Sequence, residues 1–535
     1  MTSPESVPES VPASVLASSP VPPRSRRAWW LALGAVVLAG GAFGAGVLTE
    51  RRRAAAESEW SDARLLSSAI DSVRVNALDS LPSDELIRRA VAGMLRELHD
   101  PYAALLRPDG YERYRGSLLG EGFGVGLTLR RQREPADAGR EARVVVSVAR
   151  VAPGSPAMLA GVRAGDRILA VDGVPIAQGW GRASSARDSA TVTPPASERL
   201  TLWRAPHGDT ATVEVHRVSW HMPAVSEQGL LTDSVGYVRL ATMSAKSSDE
   251  LESAVDGLVD RGARALVLDL RGNTGGLFEE GVRAAGLFLP RGVVVASLAG
   301  RPGAAPQPHR GKRSRWAELP LTVLVDGNTA SAAEVVAAAL HDYGRALLVG
   351  APTYGKGVVQ RVVTLSSDLL LRLTTARWLT PNGVSLQRRQ GVGAAARGGL
   401  LPDVVVDEAP RRDPYAVPPG WGVSASIAVA HAADSVAMQA LRDGWAVTPL
   451  ALLESRLRVA LATRVPAAVR DGVARAEWTT VATRMATVRV LEVERENEAL
   501  LRYGVQHDAA MRAGLDVVAP GAIVAGGVGG GVALR

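Results

Sequence analysis

Only three lysines occur in this chain, Lys246, Lys312 and Lys356, and the last lies in the tight turn Thr353-Tyr354-Gly355-Lys356-Gly357. Arginine stays protonated at any working pH, whereas a desolvated lysine can lose its proton and act as a general base. A chain that writes nearly every positive charge as arginine has reason to keep a lysine where the amine itself is needed. Twenty-five positions upstream stands Ser331, in Asp326-Gly327-Asn328-Thr329-Ala330-Ser331-Ala332-Ala333-Glu334, between an apolar strand and an Ala-rich helix. A serine at such a turn projects its hydroxyl from a rigid support beside the free N–H groups of a helix N-terminus. Ser331 as nucleophile and Lys356 as base make a Ser-Lys hydrolase pair. The N–H of Ala332 is a natural oxyanion donor, and the Gly-rich loop Asp269-Leu270-Arg271-Gly272-Asn273-Thr274-Gly275-Gly276 offers the second, from Gly275 or Gly276. If Gly357 to Gln360 is a strand, Lys356, Val358 and Gln360 share one face, so that Gln360 can orient the amine.

Each residue has a plainer reading. Serine is a favoured helix cap, a turn lysine is ordinarily solvated, and Gly/Asn clusters mark turns generally. His341 falls ten residues after Ser331 and invites a Ser-His pairing, but a histidine near a helix C-terminus is favoured electrostatically without any chemistry. No Asp or His set has metal-ligand spacing, so no metal and no cofactor are expected.

The elements that must position these residues read as α/β from Gly236 to about Val406. Apolar strand runs at Ala265 to Leu270, Val293 to Leu298, Leu321 to Val325 and Ala346 to Val349 alternate with helical stretches at Ser248 to Val259, Glu279 to Phe288 and Ala332 to Ala339. Before them, residues 120–218 read as a β-rich domain with strands at Val125 to Leu129, Val144 to Val148 and Leu200 to Trp203. Gly122-Phe123-Gly124-Val125-Gly126-Leu127 would present backbone N–H groups to a peptide's terminal carboxylate, the peptide adding as a strand. A helical arm is expected over 49–119, with the stripe Ile87, Val91, Met94, Leu95 and Leu98 facing a core. A largely helical region follows over 411–519, with the stripe Leu453, Leu457 and Leu461. Residues 1–27 and 520–535 read as disordered tails.

At 535 residues the chain holds several cores, and with no cysteine it has neither thiol nucleophile nor disulfide. The net charge of +7 is spread along the sequence without a basic stripe, so nucleic-acid binding is not expected. Ala28 to Leu48 runs without a charge behind Trp29 and Trp30 and is long enough to span a bilayer. A cleaved signal peptide is the rival reading; the length of the run favours a retained single-pass anchor in the inner (cytoplasmic) membrane.

Together, Gly-x-x-x-Gly-Asp-x-Ile-Leu-x-Val-Asp-Gly at Gly161 to Gly173, Asp-Leu-Arg-Gly-Asn-x-Gly-Gly, Gly-Asn-Thr-Ala-Ser-Ala-Ala-Glu and Thr-Tyr-Gly-Lys-Gly-x-x-Gln resemble the C-terminal processing peptidases, or tail-specific proteases. The resemblance covers roughly residues 28 to 406. It implies a crotonase-like α/β peptidase core over 219–410 with an inserted PDZ domain, and a Ser-Lys endopeptidase in which Gln360 orients Lys356. It also implies a catalytic domain facing the periplasm or outside, protein or peptide substrates with free C-termini sensed by the PDZ domain and, by analogy alone, a homodimer. The stretch from Gln178 to Glu198 departs from the PDZ pattern. A catalytically inactive PDZ scaffold on a peptidase fold stays open as a different class of function.

Overall fold

The computed structural model describes residues 63–520 apart from internal segments, chiefly 135–142, 177–195, 389–397, 407–422 and 464–474. Residues 1–99 and 100–535 are two separate compact units.

In the first unit, Ser83–Glu97 is an amphipathic helix with Asp84 and Glu85 in its first turn and Arg96 in its last, each favouring its end of the helix dipole. The stripe expected to face a core is present, but no residue of this helix is buried, and Ile87, Met94 and Leu98 are exposed. No described residue of the unit buries that face.

The second unit is built on a six-stranded sheet in the order Val225–Leu230, Val235–Leu240, Ala265–Asp269, Leu321–Val325, Leu347–Gly350, Val404–Val405. The first pair is antiparallel and the rest are parallel. Ala265–Asp269 and Leu321–Val325 are fully buried apolar runs, as strands covered on both faces must be. Helices Ser247–Asp260, Phe278–Gly286 and Ala332–Asp342 pack one face into the largest core, with Phe288, Trp316 and Trp378. Helix Ala509–Val518 covers the other, placing Met511 and Leu515 in a core with Tyr237, Val267, Leu324 and Val349. A second sheet is antiparallel, with Leu369–Leu379 paired to Ala104–Leu106, Val294–Ala299 and Val358–Ser366. The expected helical arm therefore gives way at Ala104 to a short strand, followed by helix Pro108–Leu119.

The β-rich domain is a sheet in the order Leu127–Glu134, Arg143–Val151, Arg167–Val171, Ser197–Trp203, Thr210–His216 around Val146, Val148, Ile168, Leu200 and Leu202. The C-terminal helices Val423–Arg442, Leu450–Ala462 and Arg475–Glu494 form a bundle in which Leu453, Leu457 and Leu461 are buried, and Trp203 of the β-rich domain packs against it.

The membrane helix expected over 28–48 has to be corrected. No helix among the described residues is long and apolar enough to cross a membrane, and 28–48 lies outside them. The two helices of sufficient length do something else. Val423–Arg442 and Arg475–Glu494, at 20 residues each, turn their apolar faces into the bundle's own core, and the second carries charge along its length. Among the described residues the architecture therefore shows no transmembrane element, and the single-pass inner-membrane location drawn from the expected helix is not supported.

Candidate active site

Three loops leave the carboxyl ends of three neighbouring parallel strands, where open α/β sheets place their sites. After Ala265–Asp269 comes the loop to Gly276, after Leu321–Val325 the turn to Ser331, and after Leu347–Gly350 the segment to Lys356. Buried polar side chains stitch them together. Asp326 Oδ1 accepts the N–H of Gly272 at 2.9 Å and of Asn328 and Thr329 at 3.0 and 2.9 Å. Thr329 Oγ1 donates to the Leu270 carbonyl at 3.0 Å, and Tyr354 N donates to the Thr329 carbonyl at 3.0 Å.

Ser331 has φ 56° and ψ −121°, a conformation that non-glycine residues avoid. Holding it there costs about 1–3 kcal/mol. The strain makes the chain turn sharply from strand to helix with the serine, partly exposed, at the apex. Glu334, one turn into the helix and wholly buried, is what holds it. Its Oε2 accepts the N–H of Ser331 at 2.8 Å and the N–H of Lys356 at 2.8 Å, while Oε1 accepts Thr353 Oγ1 at 2.6 Å and Gly355 N at 2.7 Å. The backbones of Ser331 and Lys356 are thus each one hydrogen bond from the same oxygen atom. Burial pushes the Glu334 carboxyl above its ordinary pKa, with these bonds opposing. Three of its four partners are backbone N–H groups, which can only donate and so favour the ionised carboxylate.

Lys356 is half-buried. Its amine is pushed below the ordinary lysine pKa, first by burial and then by the charge of Arg372, with Glu334 and Asp100 opposing. Nζ lies 3.3 Å from Gln360 Oε1 and 5.2 Å from the centre of the Tyr102 ring. Gln360 Nε2 donates to the Tyr102 carbonyl at 2.8 Å. A carbonyl can only accept, so the amide nitrogen of Gln360 must face Tyr102 and its oxygen is left for the lysine.

The two expected oxyanion glycines behave differently. A methyl group on Gly275 would lie 2.7 Å from the Ala330 carbonyl, 2.8 Å from Ser331 Cβ and 2.9 Å from Ala332 N, and its φ is +90°. Only glycine lets this loop pass so close to the serine. The N–H of Gly275, however, donates to Asn273 Oδ1 at 2.9 Å. Gly276 N and Ala332 N make no hydrogen bond with the described residues. Arg271, almost completely buried, is paired with Asp269 and donates from Nη1 to Asp508 at 2.7 and 2.9 Å. Tyr237 Oη completes the set at 2.7 Å from Asp269.

His341 lies in the last turn of helix Ala332–Asp342, 3.3 Å from Asp403, at the far end from Ser331. No cluster of metal-ligating side chains is found among the described residues.

The loop from Gly122 to Leu127 lies elsewhere, in the β-rich domain. Glu121–Gly124 pairs antiparallel with Val218–His221, and the carbonyls of Val125 and Gly126 accept N–H groups from Ala157 and Ala152. Gly126 has φ +79°, and a methyl group there would fall 2.1 Å from Ser155 Cβ. Strand Leu127–Glu134 is at the edge of its sheet, paired with Arg143–Val151 on one side. Val125 and Leu127 pack against the domain's own core; the Phe123 side chain lies outside the described residues.

Glu334, Tyr102 and Arg372 are absent from the sequence-based site. Glu334 was visible as the acidic residue of a Ser-x-x-Glu capping pattern. Tyr102 acts on Gln360 through its backbone, which no residue type announces.

Comparison with known proteins identifies the family of the chain. Residues 234–406 match the model of peptidase family S41, and residues 147–204 match a PDZ domain. The chain is 35% identical to a carboxyl-terminal-processing protease of Picosynechococcus over 60% of its own length and 73% of the relative's. It is 30% identical to a carboxyl-terminal-processing protease of Synechocystis over 72% of its length and 88% of the relative's. The solved photosystem II D1 C-terminal processing protease is 31% identical, covering 63% of this chain and 86% of that one, with a TM-score of 0.37.

Proposed function

Given that the chain belongs to the S41 family of carboxyl-terminal-processing serine proteases, we propose that it cleaves proteins with a Ser331–Lys356 dyad, oriented by Gln360, on substrates whose free C-terminus is taken up by the PDZ domain. The neutral Lys356 amine removes the Ser331 hydroxyl proton as Oγ attacks the scissile carbonyl carbon. The oxyanion is received by the N–H groups of Ala332 and Gly276, neither of which bonds another described residue. As the C–N bond breaks, the lysine returns the proton to the leaving amine. Water then hydrolyses the Ser331 ester with the same lysine as base, releasing the new carboxylate and regenerating the hydroxyl.

The observation that carries this reading is the single Glu334 oxygen bonded to the backbone N–H of both Ser331 and Lys356. It ties together the two backbone segments that carry the proposed nucleophile and base. The depressed amine pKa sets the pH dependence: a base must be neutral, so kcat/KM rises with pH through the Lys356 pKa, and that rise sits below the ordinary lysine range.

For the PDZ domain, support comes from strand Leu127–Glu134, which follows the Gly122 to Leu127 loop and among the described residues pairs with a strand on one side only, an arrangement suited to strand addition by a peptide tail. The test of the dyad is Lys356→Arg. A guanidinium stays charged and cannot accept the proton, so cleavage of an unfolded protein falls to the level of Ser331→Ala. Substantial turnover in the arginine variant sinks the assignment.

A further inference from the structure

We propose that Arg372 is a positioning residue for this reaction, pinning the carbonyl that orients Gln360 and setting a permanent positive charge near the Lys356 amine. The inference rests on the reading of Lys356 as the base.

Arg372 sits in strand Leu369–Leu379, opposite Ala104 on one side and Val362 on the other. Its Nε donates to the Tyr102 carbonyl at 3.2 Å, the same oxygen that takes Gln360 Nε2 at 2.8 Å. Its guanidinium lies 5.6 Å over the Tyr114 ring, from helix Pro108–Leu119. The side chain is therefore held at two points, and the Tyr102 carbonyl is held by two donors. One of these donors carries the amide whose oxygen meets Lys356 Nζ at 3.3 Å. Losing Arg372 frees one end of this chain of contacts and lets the carbonyl, and Gln360 with it, turn away from the amine.

The charge acts separately from the contacts. A guanidinium does not titrate in the working range, so Arg372 presents the same charge at every pH and disfavours a second positive charge at Lys356. The groups facing the amine are Arg372 from its strand, Glu334 from helix Ala332–Asp342, and Asp100 and Tyr102 from the segment before Ala104–Leu106. The carboxylates favour the ammonium; Arg372 is the cation working against it. Glu334 already receives four hydrogen bonds, which spreads its charge over the backbone it holds. Arg372 therefore supports the form of Lys356 that the reaction uses.

The experiment is the pH dependence of kcat and KM for the full chain, unsubstituted and as Arg372→Gln and Arg372→Lys, with an unfolded protein substrate. Alongside it, the rate at which a small amine-selective acylating reagent modifies Lys356 is followed against pH in a Ser331→Ala background, which titrates the amine without turnover. Arg372→Gln is expected to move the acid limb of kcat/KM, and the amine titration with it, up by about one pH unit. It should also lower kcat about tenfold with KM little changed, as loss of base positioning requires. Arg372→Lys keeps the charge and should hold the acid limb near its original place while recovering only part of kcat. Arg372→Met, which retains the aliphatic stem, carries the same test if the glutamine variant does not fold. An acid limb and an amine titration left unmoved by loss of the charge overturn the proposal, whatever happens to kcat. Failure of the dyad itself looks different: cleavage would then survive Ser331→Ala, whereas residual Arg372→Gln activity that disappears with Ser331→Ala leaves the dyad intact.

Discussion

Two glycine-rich loops of the molecule are held in opposite ways. In the loop from Asp269 to Gly276, every second residue is anchored by a buried side-chain contact. Asp269 and Arg271 pair with each other and with Tyr237 and Asp508, and Asn273 bonds the Leu240 carbonyl at 2.8 Å and Gly275 N at 2.9 Å. The loop from Gly122 to Leu127 is held by a short two-stranded ladder and by backbone bonds from Ala152 and Ala157. The first sets Gly275 against Ser331 and Ala332, and the second leads into strand Leu127–Glu134, which among the described residues pairs with a strand on one side only. Transition-state stabilisation needs donors that do not reorganise during the reaction. A loop that must accept many different tails gains from having its backbone less constrained.

Removing the anchor should separate the two loops most clearly. Arg271→Ala leaves Asp269 and Asp508 without their shared cation, and stripping one partner from a buried ionic set costs about 3–5 kcal/mol. Denaturant unfolding should show that loss. Turnover of the folded fraction should fall as well, through kcat more than KM. A variant of unchanged stability would show that the ionic set is not what fixes the catalytic loop.

Asp508→Asn is a milder version of the same perturbation. Asp508 Oδ1 also caps helix Ala509–Val518, accepting from Ala510 N at 3.0 Å and Met511 N at 3.1 Å. Asparagine keeps a capping oxygen but turns an amide N–H₂ toward Arg271. About 1–3 kcal/mol of stability should go, with a smaller fall in kcat than for Arg271→Ala. Equal effects of the two would mean that the Asp269 pairing contributes nothing of its own.

The smallest effect belongs to the other loop. Amidating the substrate's C-terminus removes the charge that the loop from Gly122 to Leu127 is proposed to accept, which should lower kcat/KM by about tenfold. Changing the last residue to Asp should act in the same direction. Both should leave untouched the rate at which a small active-site acylating reagent reacts with Ser331. Equal cleavage of free, amidated and Asp-terminated versions of one substrate would remove tail sensing from this domain.

What was legible in the sequence divides along the same line. Ser331, Lys356 and Gln360 could be singled out as candidates because each sits in a short local pattern tied to residue type: a strand-to-helix serine, a glycine-flanked lysine, an i+4 partner on one strand. The alternating strands and helices from Ala265 to Val349 were readable for the same reason, since burial on both faces writes itself as unbroken apolar runs. The rest lies in long-range pairings that no local pattern encodes. Arg271 finds Asp508 across 237 positions, and Gln360 finds Tyr102 across 258, through a carbonyl that any residue would supply. The commitment of Gly275 N to Asn273 Oδ1 depends on how a turn closes, so composition alone left Gly275 and Gly276 equivalent. The apolar stripe with Ile87, Met94 and Leu98 shows the limit in another form: periodicity reports a face but not whether that face is covered.

The central claim is that Ser331 carries the acyl group and Lys356 moves its proton. Rapid acid quench of the full chain turning over an unfolded protein, followed by peptide mapping, tests it most directly. The expected result is a substrate-derived ester on Ser331 that forms in the unsubstituted chain and is absent from Lys356→Arg. Turnover with the acyl group on another side chain, or an undiminished Ser331 ester in Lys356→Arg, would contradict the account.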